Sequence, residues 1–479
     1  MEANRHEKLA ALKRQGIAAY GGRFPKPESA QALTDGYAEG RQATFAGRLT
    51  AQRGHGGLTF ADLSDGNGKL QICIKKELVG EEAYARLELL DLGDILGVSG
   101  TLFKTKTGQV TIQVKDYTLL AKSLRPLPEK WHGLKDVEIR YRTRELDLIA
   151  NEEVRRVFVQ RSRLLATLRG TLERQGFLEV ETPMMHPIPG GAAGEPFVTH
   201  HEALDCDLYL RLAPELYLKR LLVGGFERVY EINRCFRNEG LSTQHNPEFT
   251  MLEAYAAYQD FDFMMELVQQ LFCDAAMALR GSLQFTFRGQ PVDLTPPWER
   301  VSFAEAMESA GLTPDASEAA IQQALDRKGI KVKGMNRSQL VRLVEQLFEP
   351  KSKAKPLFVT DYWTELSPLA KSRPDKPEIT ERFELYIGGM EVANAYSELN
   401  DPIEQRRRFE AQLEQVAGKG KSDRKIDEAF VQALEYGMPP AGGLGVGIDR
   451  LAMVLLDQPS IKDVILFPLL KPEGATSDR

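Results

Sequence analysis

Between Phe226 and Tyr255 the chain reads FERVYEINRCFRNEGLSTQHNPEFTMLEAY, and four of its side chains could together hold a nucleotide. Arg237 can fork onto a phosphate, Glu239 can accept from an exocyclic amine, and Phe249 can stack on a base. His245 adds an imidazole. Arg237 and Glu239 stand two apart, which on a strand places them on one face. His245 and Phe249 share a face if their strand extends back that far. A cross-strand ion pair beside a core phenylalanine is the alternative for so short a motif, because surface ion pairs are common and stabilise little.

Two later stretches suit the same ligand. Glu384 and Glu391 flank Gly388-Gly389 in what reads as strand, turn and strand. Paired carboxylates beside phosphates suit Mg²⁺, which takes one or two acidic ligands and fills its shell with substrate oxygens. In PPAGGLGVGIDRLAMVLL the glycines 443, 445 and 447 alternate, so one face of a strand is bare and a flat ligand can lie against the backbone. Arg450 then opens a helix, within reach of a terminal phosphate. Glycine packing without a ligand is the alternative there. The loop IPGGAAGE (residues 188–195) also permits close approach, and it matches neither a P-loop nor a dinucleotide fingerprint.

These residues need a frame. Glu227–Cys235 alternates as a strand, Asn238–Gln244 is a turn-rich loop, and a second β-like run follows, so an antiparallel hairpin is expected. A helix from about Asn151 to Gln175 carries Val154, Phe158, Leu164, Leu165, Leu168 and Leu172 on one stripe. In GFLEVETPMM, Pro183 excludes a central strand, so this segment is an edge, and a covered edge often pairs with its twin in a dimer. Residues from about 296 to 349 read as an inserted helical module. Further forward, Arg5–Gln15 reads as a helix with Leu9 and Leu12 on one side. Ala43–Ala121 is a series of short alternating runs with a helix at Gly80–Leu90 after the third. That order matches a small Greek-key barrel of the oligonucleotide-binding (OB) type. Phe60 and Lys69 are its candidates for base stacking and phosphate contact, while Phe45 reads as core.

Length suggests two or three domains. No apolar run is long enough to span a membrane, and the charged N-terminus lacks the apolar centre of a secretion signal. Four scattered cysteines suit free thiols in a reducing cytoplasm and argue against a zinc site. A net charge of −6 excludes a basic coat, although basic residues do cluster: Lys122, Arg125, Lys130, Lys135, Arg140, Arg142 and Arg144, then Arg155, Arg156, Arg161 and Arg163. A solvated face or an RNA-backbone contact both fit such a run.

Taken together, the chain resembles the class II aminoacyl-tRNA synthetases, and within them the lysine-specific branch of subclass IIb. Gly176-Phe177-x-x-Val180-x-x-Pro183 looks like the first class motif and Phe236-Arg237-x-Glu239 with His245-x-x-x-Phe249 like the second. Gly443-x-Gly445-x-Gly447-x-x-Arg450 looks like the third. The phrases IPGGAAGEPF, THHEALD, RLAPELYLKRLLVGGFERVYEI, HNPEFTMLEAY and GGMEVANAYSELNDP extend the likeness over essentially the whole chain. Gln244 departs from it, standing where many bacterial members carry a basic residue.

The resemblance implies an α+β multidomain protein: an N-terminal OB-fold β-barrel and a class II catalytic domain built on an antiparallel sheet flanked by helices. Its divisions would be 1–42 (helix and linker), 43–122 (anticodon-binding barrel), 123–150 (linker) and 151–479 (catalytic). It further implies a cytoplasmic homodimer, with L-lysine, ATP and tRNA-Lys as substrates and Mg²⁺ as the metal. Arg237 would hold the α-phosphate and the amino acid carboxylate, Glu239 and Phe249 the adenine, and His245 and Arg450 the outer phosphates, with Asn246 completing the ATP site. Glu384 and Glu391 would ligate Mg²⁺. Gly191 and Glu215 would receive the α-amine of lysine, Glu253, Tyr255 and Glu398 its ε-ammonium, and Asn394 and Tyr396 would line the slot. A neutral amino acid would then leave Glu398 unpaired, at a cost of roughly several kcal/mol. An aspartate- or asparagine-specific relative needs cations facing the substrate instead. A non-charging binding protein of the same fold would have lost Arg237, Arg450 or the metal acids.

Overall fold

In the computed structural model, described over residues 2–25, 27–66, 68–127, 134, 136–192, 194–309, 311–327, 329–332, 334–335, 337–348, 354–417 and 425–472, the chain divides into two compact units, Met1–Lys135 and Asp136–Arg479.

In the first unit β1 (Gln42–His55), β2 (Leu58–Ser64), β3 (Lys69–Lys75), β4 (Ile95–Lys104) and β5 (Val110–Ala121) close into a barrel in the order β1-β2-β3-β5-β4. Strict alternation along β2 sends Ala61 and Leu63 inward, where they meet Phe45, Ile72, Val98 and Ile112. Closure demands tight strand contact at one point: a Cβ on Gly100 would stand 2.0 Å from the Gln113 carbonyl oxygen. Short helical turns between Lys76 and Leu89 fill the expected place after the third strand. Helix α1 (Glu2–Arg14) buries Leu12 against the barrel core.

Within the stretch 123–150, residues 136–150 form two short helices, Val137–Arg142 and Arg144–Ala150, that cluster with the second unit. The reason is a buried cation. Arg144 is 1% exposed, pairs with Asp147 at 2.7 Å, and donates to the carbonyls of Lys462 and Leu466 at 2.8 Å each. Lys130 and Lys135 lie outside the described residues.

The second unit is organised by an eight-stranded sheet. After β6 (Leu178–Glu179) come β7 (Met185–His186), β8 (Val198–His201) and β9 (Cys206–Leu210), which form a small separate sheet. Next are β10 (Arg228–Phe236) and β11 (Glu248–Ala257), then a hairpin of β12 (Gln284–Phe287) and β13 (Gln290–Asp293). The remaining strands are β14 (Glu299–Ser302), β15 (Leu357–Thr360), β16 (Arg382–Ile387), β17 (Met390–Ser397) and β18 (Ala441–Gly447). The large sheet runs β14-β15-β16-β17-β18-β11-β10-β6, antiparallel throughout its middle and parallel only at its two outermost pairings. β6 is an edge, as Pro183 required.

One face of the sheet is apolar. Leu252 and Ala254 of β11, Leu444 and Val446 of β18 and Ala393 and Ala395 of β17 are buried there against three helices. These are α2 (Glu152–Arg174), α4 (Phe261–Arg280) and α5 (Ile448–Leu456). Strand alternation therefore commits Phe249, Met251, Glu253 and Tyr255 to the other face. Helix α3 (Glu215–Val223) packs on that side, against β10 and β11. Between residues 296 and 349, β14 joins the main sheet. The helices Phe303–Ser309, Glu318–Arg327 and Arg337–Phe348 build a core of their own around Phe303, Ile321, Leu340 and Val341.

Candidate active site

Register builds the site. Directly paired residues on neighbouring strands share a face, and one row across five strands reads Glu231, Glu253, Gly445, Asn394, Glu384. The next row reads Val229, Tyr255, Gly443, Tyr396, Arg382. Most of the acids and tyrosines expected to hold lysine or metal therefore lie side by side. The alternating glycines open the middle of this surface: a Cβ on Gly443 would stand 1.9 Å from Glu398 Oε1 and 2.6 Å from the Tyr255 ring.

The nucleotide half is assembled differently from the expectation. Arg237 and Glu239 do not stand on a strand, because β10 ends at Phe236; both lie in the loop before Pro247, which has no N–H to continue a ladder. His245 likewise precedes β11. The loop is fixed by backbone hydrogen bonds from Arg237 to Pro247 (2.9 Å) and from Asn238 to Glu195 (2.7 Å), and by Asn246 donating to the Glu248 carbonyl at 2.6 Å. The side chains nevertheless converge. The Arg237 guanidinium lies 5.1 Å from the centroid of the Phe249 ring, and its buried Nε has no hydrogen-bond partner. Arg450 donates to the Glu391 carboxylate and backbone carbonyl at 3.0 Å each, and its other terminal nitrogen stands 3.1 Å from His245 Nε2. Loss of surrounding water and the adjacent Arg450 lower the His245 pKa. Arg237, Glu239, His245, Phe249, Glu391 and Arg450 line a common cavity of ≈ 130 Å³.

The lysine half is dry. Glu215, Glu253 and Glu398 are 5%, 4% and 1% exposed. Tyr396 donates to Glu215 at 2.6 Å and Tyr255 to Glu253 at 3.0 Å. Burial, reinforced by the charge of Glu215, pushes the Glu253 carboxyl up to about 8. The Gly-rich loop reaches both halves: Gly191, at φ +82°, lies against Glu215, and Gly194 lies against Glu239 and Arg237.

One resident of this half was not foreseen. Lys219 of α3 is fully buried, 2.7 Å from Glu215 and in contact with Glu398. Glu398 is thus not an acid waiting unpaired for substrate, and charge selection cannot rest on it alone. Its Oε1 keeps no hydrogen-bond partner. Glu253 is the acid whose carboxylate no Lys or Arg pairs with directly among the described ion pairs, since Arg211 behind it is closed on Glu231 at 2.8 Å.

Glu384 and Glu391 share the site face, brought together by a bulge that sets Glu391 opposite Tyr386. Burial raises the Glu384 pKa, Arg382 opposes that rise and Glu391 adds to it. Glu384 is paired with Arg382 and Glu391 with Arg450, and two hard oxygen donors on one face suit Mg²⁺, which needs few protein ligands when phosphates supply the rest. Among the described residues no larger His, Cys, Asp or Glu cluster could hold a metal.

The basic run divides into internal pairs and surface. Lys122 is buried between Asp91 and Asp94, Arg144 between Asp147 and carbonyls, and Arg161 pairs with Asp449 at 2.5 Å. Asp449 in turn accepts from the Thr250 backbone at 2.8 Å, locking α5 to β11. In the barrel, Phe60 is half-buried beside a groove it shares with Arg53, His55, Gln71, Thr105 and Gln109. Lys69 shares its face but pairs with Ser64 at the far end of β2, outside that groove. Phe45 is core.

Residues 136–471 match the family model for tRNA synthetases class II (D, K and N), and residues 43–120 match that of the OB-fold nucleic acid binding domain. The chain is 52% identical to the lysine–tRNA ligase of Carboxydothermus hydrogenoformans, over 98% of this chain and 97% of that one. It is 51% identical to the lysine–tRNA ligase of Moorella thermoacetica, over 98% of each. With the second and third motifs meeting at one cavity and the likeness running almost from end to end, the chain belongs to the class II tRNA synthetases of the D, K and N group.

Proposed function

We infer that this chain is a lysine–tRNA ligase, which activates L-lysine with ATP and passes it to the 3′-terminal adenosine of tRNA-Lys. The observation that carries this reading is the continuity of one sheet face from a phosphate-and-base cradle (Arg237, Phe249, His245, Arg450) into a buried acidic slot. The relatives' names point the same way.

The lysine carboxylate attacks the α-phosphorus of ATP, the bond to the β-phosphate oxygen breaks, and lysyl-adenylate and pyrophosphate result. A ribose hydroxyl of the tRNA terminus then attacks the carbonyl and AMP leaves. Alignment and charge neutralisation supply the rate in such transfers. Arg237, with an unpartnered Nε beside the Phe249 ring, is placed to neutralise the α-phosphate. His245 and Arg450 would face the outer phosphates, and the adenine would stack on Phe249 within reach of the exposed Glu239. Mg²⁺ held by Glu384 and Glu391 would draw charge from the outer phosphates. Glu215 and Gly191 would receive the α-amine, and Glu253, Tyr255 and Glu398 the ε-ammonium, between Asn394 and Tyr396.

An acidic substrate fits poorly, because the nearest buried cation, Lys219, is already engaged by two carboxylates. The barrel groove at Phe60 suits anticodon bases, with Lys69 more distant. Dimerisation through the β6 edge is supported by Leu178, Met185 and Val198, each half exposed or more. Four unpaired cysteines suit a cytoplasmic setting, and among the described residues no helix is long and apolar enough to cross a membrane. Pyrophosphate exchange run with each amino acid in turn, followed by charging of total tRNA, tests the reading. Exchange dependent on lysine alone supports it, and exchange dependent on aspartate, or on none, refutes it.

A further inference from the structure

Lys219 lies one helical turn beyond Glu215 on α3, and its ammonium joins residues that the chain brings from separate elements. It pairs with Glu215 at 2.7 Å on its own helix and touches Glu398 just past β17, with Nζ 5.5 Å from the centroid of the Tyr396 ring. Tyr396 itself donates to Glu215. Beyond these partners, β11 contributes Glu253 and Tyr255 to the same enclosure. Burial disfavours the ammonium, yet Glu215 and Glu398 outweigh it and hold Lys219 charged.

Glu215, Glu253 and Glu398 face the slot and Lys219 is the cation paired within it, so two further positive charges complete it. Free lysine carries two ammonium groups. We propose that Lys219 is a positioning and specificity residue, whose ammonium ties Glu215 to Glu398 and fixes the slot at the charge that a substrate with two ammonium groups completes. The inference rests on the lysine-activation reading above. Burial holds the Glu398 pKa well above its ordinary value, Lys219 opposes that push, and Glu215 and Glu253 add to it. Without Lys219 the carboxyls of the empty slot keep their protons to higher pH still, and incoming lysine must displace them.

Lys219→Met keeps the apolar stem and removes the charge. Lysine-dependent pyrophosphate exchange by the full chain is measured from about pH 6.5 to about pH 9, with the KM for lysine and for ATP determined at each point. The expected result is a KM for lysine raised at least about tenfold near pH 7, a gap that narrows as pH rises, and a KM for ATP changed by less than about twofold. An unchanged KM for lysine, or one raised by the same factor at every pH, overturns the proposal, because lost packing alone has no such pH signature. Absence of lysine-dependent exchange in the unsubstituted chain would instead refute the functional reading itself. Should Lys219→Met fail to fold, the heat of lysine binding to the unsubstituted chain, taken in two buffers of different ionisation enthalpy, counts the protons exchanged. Proton release on lysine binding that diminishes from about pH 7 to about pH 9 supports a slot whose carboxyls hold protons until the substrate's ammonium groups enter, whereas no release at any pH overturns it.

Discussion

The two ends of this sheet face are built by opposite means. At the lysine end Glu253, Tyr255 and Tyr396 stand on two strands that flank and pair with β18, and Glu215, Lys219 and Glu398 close around them, almost without solvent. At the nucleotide end Arg237, Glu239 and His245 lie in the loop between β10 and β11, and Glu239 and His245 are exposed. A small amino acid resembles many other metabolites, so discrimination needs fixed charge in a dry place, where a mismatch is costly. ATP brings its own size and charge, and donors on a loop braced by backbone hydrogen bonds suffice to align it.

The largest expected effect is at the exposed end. Arg237→Ala should lower lysine-dependent pyrophosphate exchange by about 10³-fold, the usual scale for removing one donor to developing charge, while lysine still binds in calorimetry. A drop below tenfold would break the contrast. Next, Glu253→Gln should raise the KM for lysine by about 10- to 100-fold and leave that for ATP nearly unchanged. If both rise together, the ends are not separable.

The same residue gives a pH dependence of known sign. Its folded value, about 8, lies above the ordinary 4.5, so the empty slot holds a proton through neutral pH. The stability tied to that proton is complete below the ordinary carboxylate range and is lost as pH rises through about 8. Melting temperature without ligand should therefore fall from pH 7 to 9, and kcat/KM for lysine should rise over the same interval. Glu253→Gln should flatten both curves. Phe249→Leu should cost about tenfold in the KM for ATP by loss of stacking, with lysine unaffected. The smallest effect is expected in the barrel: Phe60→Ala should leave exchange intact and raise the KM for tRNA about fivefold, the lower end of the roughly 1–3 kcal/mol of one stacked base.

The frame was legible because its signals are local. Short alternating runs and turn residues mark the barrel, and Pro183 marks the edge strand. Spacing by two along β11 and β17 puts the acids and tyrosines on one face, which the register then aligns. The spacing of Arg237 and Glu239 fits a strand. What ends the strand is a proline ten residues on, whose effect depends on how the loop folds back. Lys219 was illegible for a different reason. It sits in a leucine-rich helix, and a lysine there reads as a solvated position. Only the partners that meet it, Glu398 above all, far along the chain, turn that position inward. Buried ion pairs between distant segments leave no local trace, as with Arg161 and Asp449, and the carbonyls of Lys462 and Leu466 that meet Arg144 are equally remote along the chain.

A crystal structure with a non-hydrolysable lysyl-adenylate analogue puts the contrast between the two ends to its most direct trial. The account expects the ε-ammonium within hydrogen-bonding distance of Glu253 and Glu398, with Lys219 still beside Glu215 and the adenine flat on Phe249. An ε-ammonium directed into solvent, with the acidic slot closed on its own side chains, would contradict it.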